Sequence, residues 1–108
     1  MKFEINNIPK LSLNKYNNLH WTEKKKFKDI IKLMTMASTK IKLEDSYNLE
    51  FYFTFMGRKL DTINVAHYCK IIEDQLFKQD NQNRKICMNV VKGDINKVKV
   101  ILNESKKL

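Results

Sequence analysis

Leu49, Phe51, Phe53 and Phe55 alternate with Glu50, Tyr52 and Thr54, and no other stretch restricts the fold as much. Side chains on a strand point to opposite faces in turn, so this period of two puts one leucine and three phenylalanines on a single side. A strand of that kind is stable only in a sheet whose apolar face is covered by another layer.

The rest of the chain supplies the other elements. Phe3-Glu4-Ile5 alternates as a short strand, closed by Ile8-Pro9, because proline cannot donate to a ladder. Lys10 to His20 is polar, with Leu11, Leu13 and Tyr16 interspersed, and reads as a loop that packs itself down. Thr22 is expected to cap a helix running to about Lys40, with Phe27, Ile30, Ile31 and Met34 as its buried stripe. Lys24, Lys28 and Lys32 form a basic ridge on another face. After Gly57-Arg58-Lys59, Asp61 is the expected N-cap of a second helix ending near Phe77. A loop from Lys78 to Arg84 precedes two strands, Ile86–Val91 and Val98–Leu102. Gly93-Asp94 between them suggests a hairpin, and the tail from Asn103 is expected to fray. The order is β-α-β-α-β-β, an α+β single domain over 1–108 with a mixed sheet and two helices packed on it.

Composition agrees with one small core. The 108 residues are 43% hydrophobic, with two Gly and one Pro, which excludes a collagen-like or linker sequence. No apolar run approaches the roughly 20 residues of a membrane span. Met1 to Asn7 lacks the apolar stretch of a signal peptide, which predicts a cytoplasmic protein. Cys69 and Cys87 are far apart and have no CxxC partner, so two reduced, half-buried thiols are expected. Lys+Arg 21 against Asp+Glu 12 gives a net charge of +9, which favours a polyanionic partner. A membrane surface is one such partner, with Trp21 and Phe27 beside Lys24–Lys26; both aromatics are more simply core residues, and no membrane role is expected.

The second helix carries the candidate chemistry. At about 100° per residue, Val65, Cys69, Ile72 and Leu76 share the core face. Asn64, His67, Lys70 and Asp74 fall on the far side, and Asp61 stands at the helix start. A carboxylate there, with an amine along the helix and a carboxylate in the next loop, suits a hard divalent cation and a phosphate. The structural alternative is a plain N-cap followed by a solvated polar face. His67 has nothing beside it in the sequence to complete a zinc site.

Arg58-Lys59-Leu60-Asp61-Thr62-Ile63-Asn64, then Lys70 to Leu76, then Asp80-Asn81 resembles the RusA family of phage-type Holliday junction resolvases. The opening Ile8 to Tyr16 and the closing Lys97 to Ile101 also look like that family, so the resemblance covers most of the chain in order. It implies a homodimeric, Mg²⁺-dependent endonuclease, with Mn²⁺ as a substitute, that cuts branched DNA in a bacterial or phage-infected cell. Carried over, Asp61 and Asp80 would be the metal ligands, Asn81 competing for the loop position. Lys70 would be the catalytic lysine, and Asn64 and Asp74 supporting residues. Lys24, Lys28, Lys32, Arg58 and Lys59 would bind phosphates without reading sequence.

Ile63 stands where the family often has a second aspartate, and the acidic loop is short. These departures motivate an alternative: a catalytically silent relative that binds nucleic acid, or a phage-encoded inhibitor of a host defence nuclease with a protein partner.

Overall fold

The computed structural model describes residues 1–40, 47–77 and 85–104. The elements are β1 (Lys2–Asn6), α1 (Leu13–Asn17), α2 (Trp21–Ser38), β2 (Tyr47–Phe55), a 3₁₀ turn (Thr62–Val65), α3 (Ala66–Leu76), β3 (Ile86–Lys92) and β4 (Lys97–Glu104). The four strands form one mixed sheet in the order β1-β4-β2-β3. The architecture is the α+β fold expected from the sequence, with one more helix than the two foreseen.

The 49–55 repeat takes the central place that its pattern requires. β2 pairs antiparallel with β4 and parallel with β3, with Phe51 opposite both Val100 and Met88. Leu49, Phe51, Phe53 and Phe55 are fully buried, and the three phenylalanine rings stack at 6.1 and 6.0 Å. Burying each such side chain is worth about 1.5–3 kcal/mol. The same core takes Ile5 from β1, Val98 and Val100 from β4, Phe27 and Ile31 from α2, and Val65, Tyr68, Ile72 and Leu76 from the second helical region.

The expected hairpin between β3 and β4 does not form, because β2 lies between them. A strand with its apolar residues on one face and ladder bonds on both sides belongs inside a sheet, whereas β3 is mostly exposed and suits an edge. The connection therefore crosses the end of β2. Gly93 N–H donates to the Phe55 carbonyl at 3.0 Å, and Asn96 Oδ1 accepts from Met56 N–H at 2.8 Å. The tail also differs from expectation over its first two positions. Asn103 and Glu104 continue β4, and Asn103 Nδ2 donates to Glu50 Oε2 at 2.7 Å.

The segment expected to be a loop contains α1. Ser12 caps it, its hydroxyl accepting from Lys15 N–H at 3.2 Å, and Tyr16 is buried. α2 begins two residues earlier than expected, because a ring nitrogen of His20 accepts from Thr22 N–H and does the capping assigned to Thr22. It ends at Ser38, not Lys40. Its buried line is Phe27, Ile31 and Thr35, a narrower stripe than predicted; Ile30 is 47% exposed and Trp21 70% exposed, so neither is a core residue. Thr35 is tolerated there because its hydroxyl donates to the Ile31 carbonyl at 2.8 Å.

Candidate nucleic-acid interface

α3 packs against α2, and its Tyr68 ring lies 5.5 and 6.3 Å from Phe53 and Phe55 of the sheet. Val65, Cys69, Ile72 and Leu76 form its core face as expected. The opposite face is not a solvated one throughout. His67 is only 6% exposed, because α1 covers it: Tyr16 stacks on the imidazole at 5.0 Å, with Phe27 at 5.6 Å and Tyr68 at 4.4 Å. Without α1 in the expected fold, this side of α3 read as surface.

His67 and Tyr68 together pin the segment that leads into α1. His67 Nε2 donates to the Leu11 carbonyl at 2.8 Å, and Tyr68 Oη accepts from Leu11 N–H at 2.8 Å while donating to the Pro9 carbonyl. Burial pushes the imidazole down to about 4 and the phenol up to about 12, so both stay neutral at pH 7.

A cavity of about 270 Å³ opens between α2 and α3. Tyr16 of α1, Lys28 and Lys32 of α2, and His67, Lys70 and Asp74 of α3 line it. Lys70 and Asp74 form an ion pair at 3.2 Å one turn apart. Among the described residues neither Lys28 nor Lys32 has an ion pair. Folding thus brings most of the predicted basic ridge to the predicted polar face of α3. Lys24, the third member of the ridge, lies over the Tyr16 ring at 5.7 Å.

Asp61 stands apart from this cavity, at the start of the 3₁₀ turn. Its backbone carbonyl accepts from Asn64 N–H at 2.9 Å, but its exposed side chain makes no capping bond. The carboxylate is therefore not spent on the helix start, contrary to the plain N-cap expectation. Arg58 and Lys59 are exposed in the preceding turn, which Gly57 enters at φ +67° and which Lys10 Nζ holds by donating to the Met56 and Arg58 carbonyls. Ile63 is 71% exposed. Asp80 and Asn81 lie outside the described residues, as does the whole of the expected 78–84 loop. Among the described residues no three His, Cys, Asp or Glu side chains gather as a metal site.

The thiols divide differently from expectation: both are free, but Cys69 is buried and Cys87 exposed. Burial, with the Glu73 carboxylate adding to it, pushes the Cys69 thiol far up, so it stays protonated. The helix-free face of the sheet carries a second, more open hollow of about 470 Å³, bordered by Glu4, Tyr52, Lys97 and Lys99. Sequence reading missed it; the signal was the alternation of lysines along Lys97-Val98-Lys99. There Lys97 pairs with Glu4 at 3.9 Å, and Tyr52 donates to Glu50 at 3.1 Å, which raises the phenol's pKa.

No described helix is long and apolar enough to cross a membrane. Comparison of the chain with protein-family models, with curated proteins and with solved structures gives no match.

Proposed function

We propose that this chain is a RusA-like, Mg²⁺-dependent endonuclease that cuts Holliday junctions or other branched DNA, acting as a homodimer in the cytoplasm of a bacterial or phage-infected cell. The observation that carries this reading is the meeting of Lys28 and Lys32 from α2 with Lys70 from α3 at one cavity. Lys70 is offset by its pair with Asp74, but Lys28 and Lys32 gather like charge there at a coulombic cost that a phosphate backbone offsets while releasing its own counterions.

Asp61 suits the metal, since its carboxylate is exposed and caps nothing. Mg²⁺ is commonly held by one or two protein carboxylates together with substrate phosphate, and Asp80 is the second carboxylate in this proposal. Bound Mg²⁺ or Mn²⁺ would supply a Lewis acid and a more acidic water for phosphodiester hydrolysis. The chain's own contribution is to bind and orient. Arg58, Lys59 and the α2 lysines hold backbone phosphates, and Asn64 and Asp74 are supporting residues. Lys70 is the proposed catalytic lysine although its cavity lies apart from Asp61, so the bound DNA would have to bridge the two.

A second reading is favoured by Ile63, whose exposed apolar side chain takes the place of a further carboxylate. It is a protein on the same fold that does not cut, but occupies nucleic acid or inhibits a host defence nuclease as a protein partner. Thermal unfolding separates the two. Saturating Mg²⁺ or Mn²⁺ raises the melting temperature of the wild type and leaves Asp61→Asn unmoved if the metal reading holds. No metal-dependent shift in the wild type would favour the second.

A further inference from the structure

The turn that leads to Asp61 is held from two sides. β2 stops at Phe55, and the chain passes through Met56, Gly57 and Arg58 before it reaches Asp61 at the head of the 3₁₀ turn. Met56 N–H donates to Asn96 Oδ1 at 2.8 Å, and the Met56 carbonyl accepts from Lys10 Nζ at 3.0 Å. The same ammonium donates to the Arg58 carbonyl, on the other side of Gly57 at φ +67°. Both carbonyls can face one cation only while the turn keeps this shape. Lys10 Nζ also lies 6.0 Å from the centre of the Phe55 ring.

Lys10 can act as a fixed post because its neighbours in the chain are themselves tied down. Ile8 N–H donates to the Asn96 carbonyl at 3.0 Å, and Tyr68 Oη donates to the Pro9 carbonyl. The Leu11 N–H and carbonyl are taken by Tyr68 and His67. The strap from Ile8 to Leu11 is thus fastened to α3 and to the β3–β4 connection, and Lys10 reaches from it to the turn. Lys10 is exposed, where a hydrogen bond adds little to stability, so the consequence of these bonds lies in the shape they hold.

We propose that Lys10 is a positioning residue. By holding the Met56 and Arg58 carbonyls it fixes the turn that presents Arg58, Lys59 and Asp61, so that the Asp61 carboxylate meets a divalent cation without first ordering its own backbone. This role rests on the metal reading of Asp61 above and deepens it. It runs against simple electrostatics, since a lysine on the approach to a cation site repels the cation. The two effects therefore predict opposite results when the lysine is removed.

Mn²⁺ titration of the ¹⁵N-labelled full chain, followed through its amide resonances, tests the role. In the wild type Mn²⁺ is expected to broaden the amides around Asp61 selectively, and Asp61→Asn to abolish that broadening. Lys10→Met keeps the apolar stem and removes the donors and the charge. It is expected to lower the heteronuclear NOE of residues 57–61 and to weaken Mn²⁺ binding about tenfold, roughly the factor that ordering one residue's backbone costs. Lys10→Arg, which keeps the donors, is expected to restore both. A lysine that only stabilised the fold would leave the Mn²⁺ affinity of fully folded protein unchanged, and one acting only by its charge would on removal tighten it. Either result, or a turn equally ordered in Lys10→Met, overturns the proposal and leaves the metal reading intact. No selective broadening in the wild type overturns both.

Discussion

His67 and Leu11 lie 56 positions apart in sequence and are joined by a hydrogen bond of 2.8 Å, while the next residue, Tyr68, takes the Leu11 N–H. Two consecutive side chains of α3 thus satisfy both backbone groups of one residue in the approach to α1. The contact fixes α1 over α3 and shapes the cavity beside Lys28 and Lys32.

The burial of His67, which outweighs this bond's opposite pull on the imidazole, makes stability depend on acid. His67 is held down to about 4 when folded, against about 6.5 when unfolded. Between those values the unfolded chain binds more protons, so stability rises with pH. The contribution is complete above about pH 6.5 and is lost progressively as pH falls towards 4, on the order of 3 kcal/mol in all. Urea midpoints from pH 7 to 4 should fall more steeply for the wild type than for His67→Phe; parallel curves would contradict the account.

Gly93 sits where the β3–β4 connection crosses β2. A Cβ there would meet Thr54 Cγ2 at 2.3 Å. Gly93→Ala should therefore cost about 1–3 kcal/mol, and Thr54→Ala in the same chain should recover part of the loss, as read by denaturant unfolding. Gly57→Ala differs in kind: nothing lies within 4 Å, and its cost of about 1 kcal/mol comes from φ +67° and should not respond to Thr54.

Lys28→Ala with Lys32→Ala should weaken nucleic-acid binding and lower the slope of log affinity against log salt by about one to two units. Anisotropy titrations at several salt concentrations measure it. An unchanged slope would place the polyanion elsewhere, the Lys97–Lys99 face being the next surface to test.

The central strand was legible because its alternation is strict and one face wholly apolar, and the core line of α3 was legible from its 3.6 period. What could not be read was tertiary. The signal between β3 and β4 is local, and it lost to the need of Leu49–Phe55 for partners on both sides. α1 was hidden because its short segment, Leu13 to Asn17, buries only Tyr16, too little periodicity to stand out. Missing α1 then misplaced His67, whose burial depends on Tyr16. Of the candidate residues, Lys28, Lys32, Lys70 and Asp74 share a cavity that spacing on single helices could not reveal. Asp61 was assigned a capping bond it does not make.

Cleavage of a labelled four-way junction against matched linear duplex, with Mg²⁺, Mn²⁺ or EDTA, tests the proposed activity most directly. The account predicts paired, symmetric nicks in the junction that need the metal and disappear in Asp61→Asn, with junction binding by that variant intact or tighter. Equal cutting by Asp61→Asn, or no cutting by the wild type in either metal, would contradict it.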